Sequence, residues 1–263
     1  MKGSYMEFFD SHAHYNDEKF DLDREELIQQ TYAENITKWI CAGYDISSSE
    51  KSIQIAHAHE PIYAICGISP NDVPKKKEDI DAQIKKIEDL LDETKVVAVG
   101  EIGLDYYWNK DNKVIQIEMF QKQIALANQK QLPIVIHTRE AVEDTLKLLK
   151  THKVNKKGIF HCCPFNRELV KEALKLDFYI SFAGPVTFKN AKNAEEIVKM
   201  VPLERMLIET DSPYLAPEPK RGTRNDSRNV KWIAQKIADF KQIPIEKIAS
   251  KTYQNAKCIF EIP

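Results

Sequence analysis

Two histidines separated by a single residue, His12 and His14, lie near the N-terminus. On an extended backbone alternate side chains share a face, so both imidazoles would point the same way. An apolar run that contains Phe8 and Phe9 precedes the pair, which is typical of a buried parallel strand with polar groups at its carboxyl end. Two imidazole nitrogens on one face can bind one divalent cation, and we therefore interpret the pair as metal ligands.

Four more coordinating side chains follow apolar runs in the same way: Glu101, His137, His161 and Asp211. With the first pair they supply four imidazoles and two carboxylates, which suits two divalent metal ions such as Mg, Mn or Zn. Two ions about 4 Å apart need a bridging ligand, and Glu101 is our candidate. Asp211 could orient and deprotonate a metal-bound water while also touching the metal. The set therefore indicates hydrolysis, with Glu101 and Asp211 as catalytic residues.

The apolar runs alternate with segments of helical spacing along the chain. We predict eight strands, the first directly before His12 and the others at 36–43, 61–68, 96–102, 132–137, 157–161, 178–182 and 205–211. We predict helices at 24–34, 47–59, 78–92, 114–130, 140–150 and 167–176, with further helical segments from Asp226 onward. This alternation favours a parallel sheet with right-handed crossovers.

Eight strand and helix units in about 250 residues are typical of a (β/α)8 TIM barrel. We therefore predict an α/β fold in which residues 1–263 form a single TIM-barrel hydrolase domain. The alternative is an open doubly wound sheet, which normally has a glycine-rich phosphate loop after an early strand. This chain has eight glycines and no such loop. In a parallel barrel all strands end at one face, so the six candidate ligands should converge there.

Several motifs resemble those of the TatD family of metal-dependent deoxyribonucleases, in the family's order and over essentially the whole chain. They are Asp-Ser-His-Ala-His at 10–14, Gly-Glu-Ile-Gly-Leu-Asp-Tyr at 100–106, Leu-Pro-Ile-Val-Ile-His at 132–137, His-Cys at 161–162, Glu-Thr-Asp-Ser-Pro-Tyr-Leu-Ala-Pro at 209–217 and Arg-Gly-Thr-Arg-Asn at 221–225. The resemblance implies an amidohydrolase-like barrel and metal-dependent, exonucleolytic cleavage of DNA phosphodiester bonds. It also implies metal roles for all six candidate ligands.

The sequence departs from the family pattern at two positions. Family members usually have histidine where Ser69 stands, and Phe-Ser-Gly after the His-Cys pair where this chain has Cys163-Pro164-Phe165. We expect these departures to affect substrate preference or rate rather than the metal site.

Basic and aromatic residues lie next to several candidate ligands. Arg139, Arg221 and Arg224 are candidate phosphate contacts, because the arginine fork matches phosphate oxygens. The aromatic residues 106–108 could stack on a base or could pack as a lid. The arginine-containing loop 220–228 favours an anionic substrate such as DNA.

Composition sets further limits. The hydrophobic fraction of 43% is enough for a large core, and the net charge of −2 means that any contact with a polyanion must come from a local basic patch. Five cysteines without a C-x-x-C pair do not suggest a disulfide framework or structural zinc. With no apolar run near the roughly 20 residues of a membrane span and no signal-peptide core, we expect a cytoplasmic protein without a membrane partner, either monomeric or weakly oligomeric.

Two other functions remain open from the residues alone. One is a zinc-dependent amidohydrolase or deaminase that acts on a small carbon–nitrogen substrate. Such enzymes often bridge two zinc ions with a carboxylated lysine on the fourth strand, where this chain has Glu101. The other is a non-catalytic metal-binding or scaffolding protein, which would have no need for six ligands.

Overall fold

The computed structural model describes residues 6–263, which form eight parallel strands that pair in chain order. The strands are β1 (Phe8–Ala13), β2 (Ile36–Ala42), β3 (Ile62–Cys66), β4 (Val96–Asp105), β5 (Ile134–Arg139), β6 (Gly158–Phe160), β7 (Tyr179–Phe182) and β8 (Met206–Ile208). Each strand pairs in parallel with the next. The predicted α/β TIM barrel is confirmed.

Helices follow the strands in the order that a (β/α)8 barrel requires. Among the described residues they are α1 (Arg24–Ala33), α2 (Ile46–Ala58), α3 (Ile80–Leu90), α4 (Lys113–Lys130), α5 (Val142–Thr151), α6 (Arg167–Lys175), α7 (Ala194–Met200), α8 (Val230–Lys241) and α9 (Ile245–Ile259). The sequence did not predict α7, because its seven residues give too short a helical period to recognise. No helix in residues 6–263 has both the length and the apolar character that a bilayer crossing needs.

The structure corrects the expectation that Glu101 and His137 stand at strand ends. Strand β4 continues to Asp105 and β5 to Arg139, so both ligands lie inside strands. The ladder extends because Gly103 pairs with His137. A side chain at Gly103 would meet the His137 carbonyl oxygen at 2.0 Å, so only glycine allows this close approach.

An apolar cluster fills the barrel interior behind the candidate ligands. It joins residues of several strands, such as Phe9, Ile65 and Val135, to Phe260 after the end of α9. The Phe9 and Phe260 rings are stacked with centroids 6.3 Å apart. A second, larger cluster packs the outer face of the sheet against the helices. The interior is therefore a solid core, and the candidate ligands lie beyond the carboxyl side of it.

Hydrogen bonds beyond the last residue of β8 close the seam between β8 and β1. The backbone N–H of Asp211 donates to the carbonyl of His12 at 2.9 Å. The backbone N–H of His14 donates to the carbonyl of Ser212 at 2.6 Å. Three candidate ligands thus contribute their own backbone to the closure of the barrel.

Candidate metal centre

The two N-terminal histidines form one side of the centre, as their spacing predicts. Their Nε2 atoms lie 3.3 Å apart, and both rings are buried. His14 Nδ1 lies 3.0 Å from the carbonyl oxygen of Ala42, which can only accept, so Nδ1 carries the proton and Nε2 presents a lone pair. His14 Nε2 faces Asp211 Oδ1 at 3.2 Å. Asp211 has a left-handed backbone with φ of 55°, which aspartate tolerates better than most residues.

Glu101 lies between this group and a second pair of imidazoles. Its Oε2 is 3.5 Å from His12 Nε2 and 3.8 Å from His14 Nε2. Its Oε1 is 3.0 Å from His137 Nδ1 and 3.4 Å from His161 Nε2. The two inward nitrogens of that pair are 3.3 Å apart. Each carboxylate oxygen of Glu101 therefore faces a different pair of histidines.

Two further carboxylates orient the second pair of imidazoles from outside. Asp105 Oδ2 lies 2.9 Å from His137 Nε2, and Glu209 Oε1 lies 3.3 Å from His161 Nδ1. Each carboxylate holds the ring proton on the outer nitrogen and leaves a lone pair on the inner one. These two roles were not predicted from the sequence. Both residues lie within motifs quoted above, and the carboxylate–histidine pairing around metals is the signal that could have identified them.

The chemistry of the inward-facing atoms fits divalent cations. The tautomers leave lone pairs on His14 Nε2, His137 Nδ1 and His161 Nε2, and these face the oxygens of Glu101 and Asp211. Acceptors that face one another at these distances repel unless a cation or a proton lies between them. Imidazole nitrogens suit Zn, and carboxylate oxygens suit Mn and Mg. The six predicted ligands are thus together in one place, in an arrangement that fits metal.

Without a cation, protons on the imidazole rings separate the facing atoms and set the charges of the centre. Burial raises the pKa of Glu101, but the charge of His161 and the hydrogen bonds from His12 and His137 outweigh it, and the pKa stays well below its ordinary value. Burial lowers the pKa of His161, but the charge of Glu101 raises it well above its ordinary value. In the metal-free protein Glu101 is therefore an ionised carboxylate that the protonated His161 balances, and a divalent cation bound here would take the place of the imidazole protons.

The centre opens into a cavity of about 780 Å³ at the carboxyl face of the barrel. Its lining includes most of the candidate ligands together with polar, apolar and cationic side chains: His14, Asn71, Glu101, Trp108, His137, Thr138, Arg139, His161, Cys162, Cys163, Pro164, Phe165, Pro185, Asp211, Tyr214 and Leu215. This volume is in the range of small-molecule sites, about 300–1,000 Å³.

The three candidate phosphate contacts have different positions. Arg139 lines the cavity. Arg221 lies outside it, with its guanidinium 3.9 Å from the centroid of the Phe188 ring. Arg224 lines a separate cavity of about 390 Å³ and is paired with Asp23 through two hydrogen bonds of 2.8 and 2.5 Å. The structure therefore brings only Arg139 next to the candidate ligands.

Ser69, where family members usually have histidine, forms a turn. Its hydroxyl donates to Asp72 Oδ2 at 2.6 Å and accepts from the backbone N–H of Asn71 at 3.2 Å. Asn71 lines the cavity, and its Nδ2 lies 3.4 Å from Asp105 Oδ2. The side-chain amide of Asn71 therefore supplies a polar group to this part of the cavity.

Solved structures share this fold over nearly the whole chain. YJJV, a TatD homolog from Escherichia coli, has a TM-score of 0.90 with 24% identity and covers 97% of this chain and 98% of its own. A TatD family hydrolase from Entamoeba histolytica has a TM-score of 0.86 with 21% identity, covering 98% of this chain and 99% of its own. At these sequence identities the comparison shows a shared fold alone.

Sequence comparisons place the chain in a family. The model of TatD related DNase matches residues 9–261. The chain is 45% identical over 255 residues to the metal-dependent hydrolase YabD of Bacillus subtilis, covering 97% of this chain and 99% of that protein. It is 33% identical over 261 residues to the metal-dependent hydrolase YcfH of Escherichia coli, covering 98% and 97%. The chain therefore belongs to the TatD related DNase family, among relatives that carry the name metal-dependent hydrolase.

Proposed function

We propose that this protein is a metal-dependent hydrolase that cleaves phosphodiester bonds of DNA. The observation that carries the proposal is the position of Glu101, whose two oxygens face different pairs of imidazole nitrogens. In the proposed centre His12, His14 and Asp211 would hold one ion, His137 and His161 would hold the other, and Glu101 would contribute a carboxylate oxygen to each. Two bound divalent ions would supply a water of lowered pKa and would stabilise the charge that develops on the attacking and leaving oxygens.

Asp211 is the proposed base. Asp211 lines the cavity, and its Oδ1 lies 3.2 Å from His14 Nε2. Its carboxylate is therefore placed to contact both His14 and a water molecule that enters the cavity. In the metal-free protein burial raises the pKa of Asp211, but the hydrogen bond and the charge of the protonated His14 ring outweigh burial and hold the pKa below its ordinary value. Asp211 is therefore ionised at neutral pH, and it can orient the attacking water and accept its proton.

Arg139 supports an anionic substrate. Its guanidinium lies at the cavity and forms no ion pair with a carboxylate in residues 6–263, so its donors remain available for a phosphate. Arg224, by contrast, would have to exchange Asp23 for a phosphate. We therefore assign the contact nearest the reacting phosphate to Arg139. Arg221 and Arg224 remain predicted contacts for a strand that extends beyond the cavity.

The size of the cavity supports action at a strand end. A volume of about 780 Å³ is in the range of sites that enclose a small molecule and can admit a terminal nucleotide. A continuous duplex is too large to enter it, so an internal phosphodiester of double-stranded DNA could not reach the ligands without unpairing. We therefore propose an exonuclease.

The test uses metal-stripped protein with end-labelled single-stranded and double-stranded DNA. Adding Mg, Mn or Zn in turn should restore the release of nucleotides from an end, and the Glu101→Gln variant should fail to release them while keeping the circular dichroism spectrum of the wild type. The alternative is the zinc-dependent amidohydrolase or deaminase. If no metal restores cleavage while a panel of cyclic amides and amino-heterocycles is hydrolysed, the DNase proposal is wrong.

A further inference from the structure

The loop after β4 carries three consecutive aromatic residues with different environments. Tyr106 is buried, and its hydroxyl donates to Asp144 Oδ2 at 2.7 Å. Tyr107 and Trp108 are 47% and 68% exposed. Trp108 lines the metal cavity, so a large aromatic surface is open to solvent next to the candidate ligands. Exposed apolar surface in such a place is typical of a binding site.

Arg139 joins this loop from the neighbouring strand, because Asp105 and Arg139 are paired at the ends of β4 and β5. Its guanidinium carbon lies 3.7 Å from the centroid of the Tyr107 ring and 5.5 Å from that of Trp108. The Tyr107 and Trp108 rings meet edge to face, with centroids 4.9 Å apart. Tyr107 therefore supports Arg139 by a cation–π contact, and Trp108 stands beside them at the cavity.

The loop is fixed in relation to the metal centre. Asp105 Oδ1 accepts from the backbone N–H of Tyr107 at 2.9 Å and of Trp108 at 3.2 Å, while its Oδ2 faces His137. The side chain of Gln116 holds the backbone N–H and carbonyl of Asp105 at 2.9 and 3.0 Å. These contacts favour a preorganised surface over a mobile lid, since a lid would have to break them.

We propose that Trp108 and Arg139 form a nucleotide subsite at the rim of the cavity, with Tyr107 as a positioning residue. A base stacks on the Trp108 ring, and the Arg139 guanidinium binds the phosphate next to that base. Stacking on an aromatic ring tolerates every base, so the subsite recognises an unstacked nucleotide rather than a sequence. It therefore selects single-stranded or frayed DNA ends. This inference rests on the proposed function and states that the site binds an unstacked nucleotide at the end of a DNA strand.

The kinetic test compares two single-stranded substrates that differ only by an abasic residue in place of the terminal nucleotide. The wild type should show a KM roughly 10- to 100-fold higher for the abasic strand, with little change in kcat. Trp108→Ala should show the same KM for both strands, and Trp108→Phe should recover part of the difference. Tyr32→Ala, which removes an aromatic ring that is 53% exposed on α1, is the matched control and should behave as the wild type.

A binding readout separates this inference from the proposed function. A short single-stranded oligonucleotide added without metal should quench tryptophan fluorescence in the wild type, and this quenching should be absent in Trp108→Phe. If no metal restores DNA cleavage but the quenching occurs, the DNase proposal fails and the subsite stands. If DNA is cleaved but Trp108→Ala keeps the wild-type KM ratio, or if Trp108→Phe keeps the quenching, the subsite is wrong and the DNase proposal stands.

Discussion

Asp105 Oδ2 lies 2.9 Å from His137 Nε2, so a buried carboxylate fixes the tautomer of a proposed metal ligand. Burial raises the pKa of Asp105, but the hydrogen bond from His137 lowers it below its ordinary value, which keeps the carboxylate ionised. The proton of His137 is thereby held on Nε2, and the lone pair on Nδ1 faces Glu101.

Replacing Asp105 by asparagine should reverse this tautomer. The asparagine oxygen would still accept hydrogen bonds from the backbone N–H groups of Tyr107 and Trp108, so its amide nitrogen would face His137 Nε2. Because that amide can only donate, the ring proton of His137 would move to Nδ1, which faces Glu101. We expect metal affinity and turnover to fall by roughly 10- to 100-fold, as for other groups that orient a ligand. Isothermal titration with Mn or Zn measures the affinity. Asp144→Asn removes a nearby carboxylate that contacts Tyr106 and should leave affinity unchanged; an equal loss in both variants would contradict the tautomer argument.

Replacing Glu101 by glutamine should remove the bridge. The glutamine side chain has a single oxygen, so it can supply a metal ligand to only one of the two pairs of histidines. At least one ion should therefore be lost from each protein molecule. We expect turnover to fall by more than about 100-fold while the thermal unfolding curve stays cooperative. Metal content after dialysis is measured by elemental analysis. Glu172→Gln makes the same chemical change away from the centre and serves as the control, and a Glu101 variant that retained both ions would exclude the bridging role.

Arg139 and Arg224 should differ in how they affect DNA binding. Arg139 has its donors available at the cavity, so Arg139→Ala should lower affinity and should reduce the slope of log affinity against log salt by about one. Arg224 is already paired with Asp23, so Arg224→Ala should have a smaller effect on the slope. Fluorescence anisotropy with labelled DNA over a range of salt concentrations measures both. A larger slope change in the Arg224 variant would reverse the assignment.

The acid stability of the fold should depend on Glu172. Hydrogen bonds from Lys150 and Lys175 lower its pKa from 4.5 to about 2. A pKa that is lower in the folded state contributes stability above the unfolded value and loses it as the pH falls through the folded value. The difference in unfolding free energy between wild type and Glu172→Gln should therefore be constant from neutral pH to about 4.5 and should shrink toward pH 2. Urea denaturation at several pH values measures it, and a constant difference down to pH 2 would refute the pairing.

The convergence of the six candidate ligands could be predicted, because a parallel barrel brings the carboxyl ends of its strands together whatever the loops do. The continuation of β4 from residue 102 to Asp105 could not, because it depends on the close approach of Gly103 to His137 across the ladder. The sequence also does not reveal which side chain a given carboxylate will contact in the folded protein. Asp105 meets an imidazole and Asp23 meets Arg224, a partner 201 positions away in the chain.

The hydrogen bonds across the seam between the ends of β1 and β8 link the metal centre to local opening of the barrel. The amides of His14 and Asp211 are hydrogen bonded across that seam, and the side chains of the same residues are proposed to share one ion. An amide exchanges its hydrogen with solvent only when its hydrogen bond opens, so a bound ion should slow exchange at both positions. Hydrogen exchange measured with and without metal should therefore show slower exchange of these two amides in the metal-bound state, and the amides of β3 and β7, which carry none of the six candidate ligands, should exchange at nearly the same rates in both states.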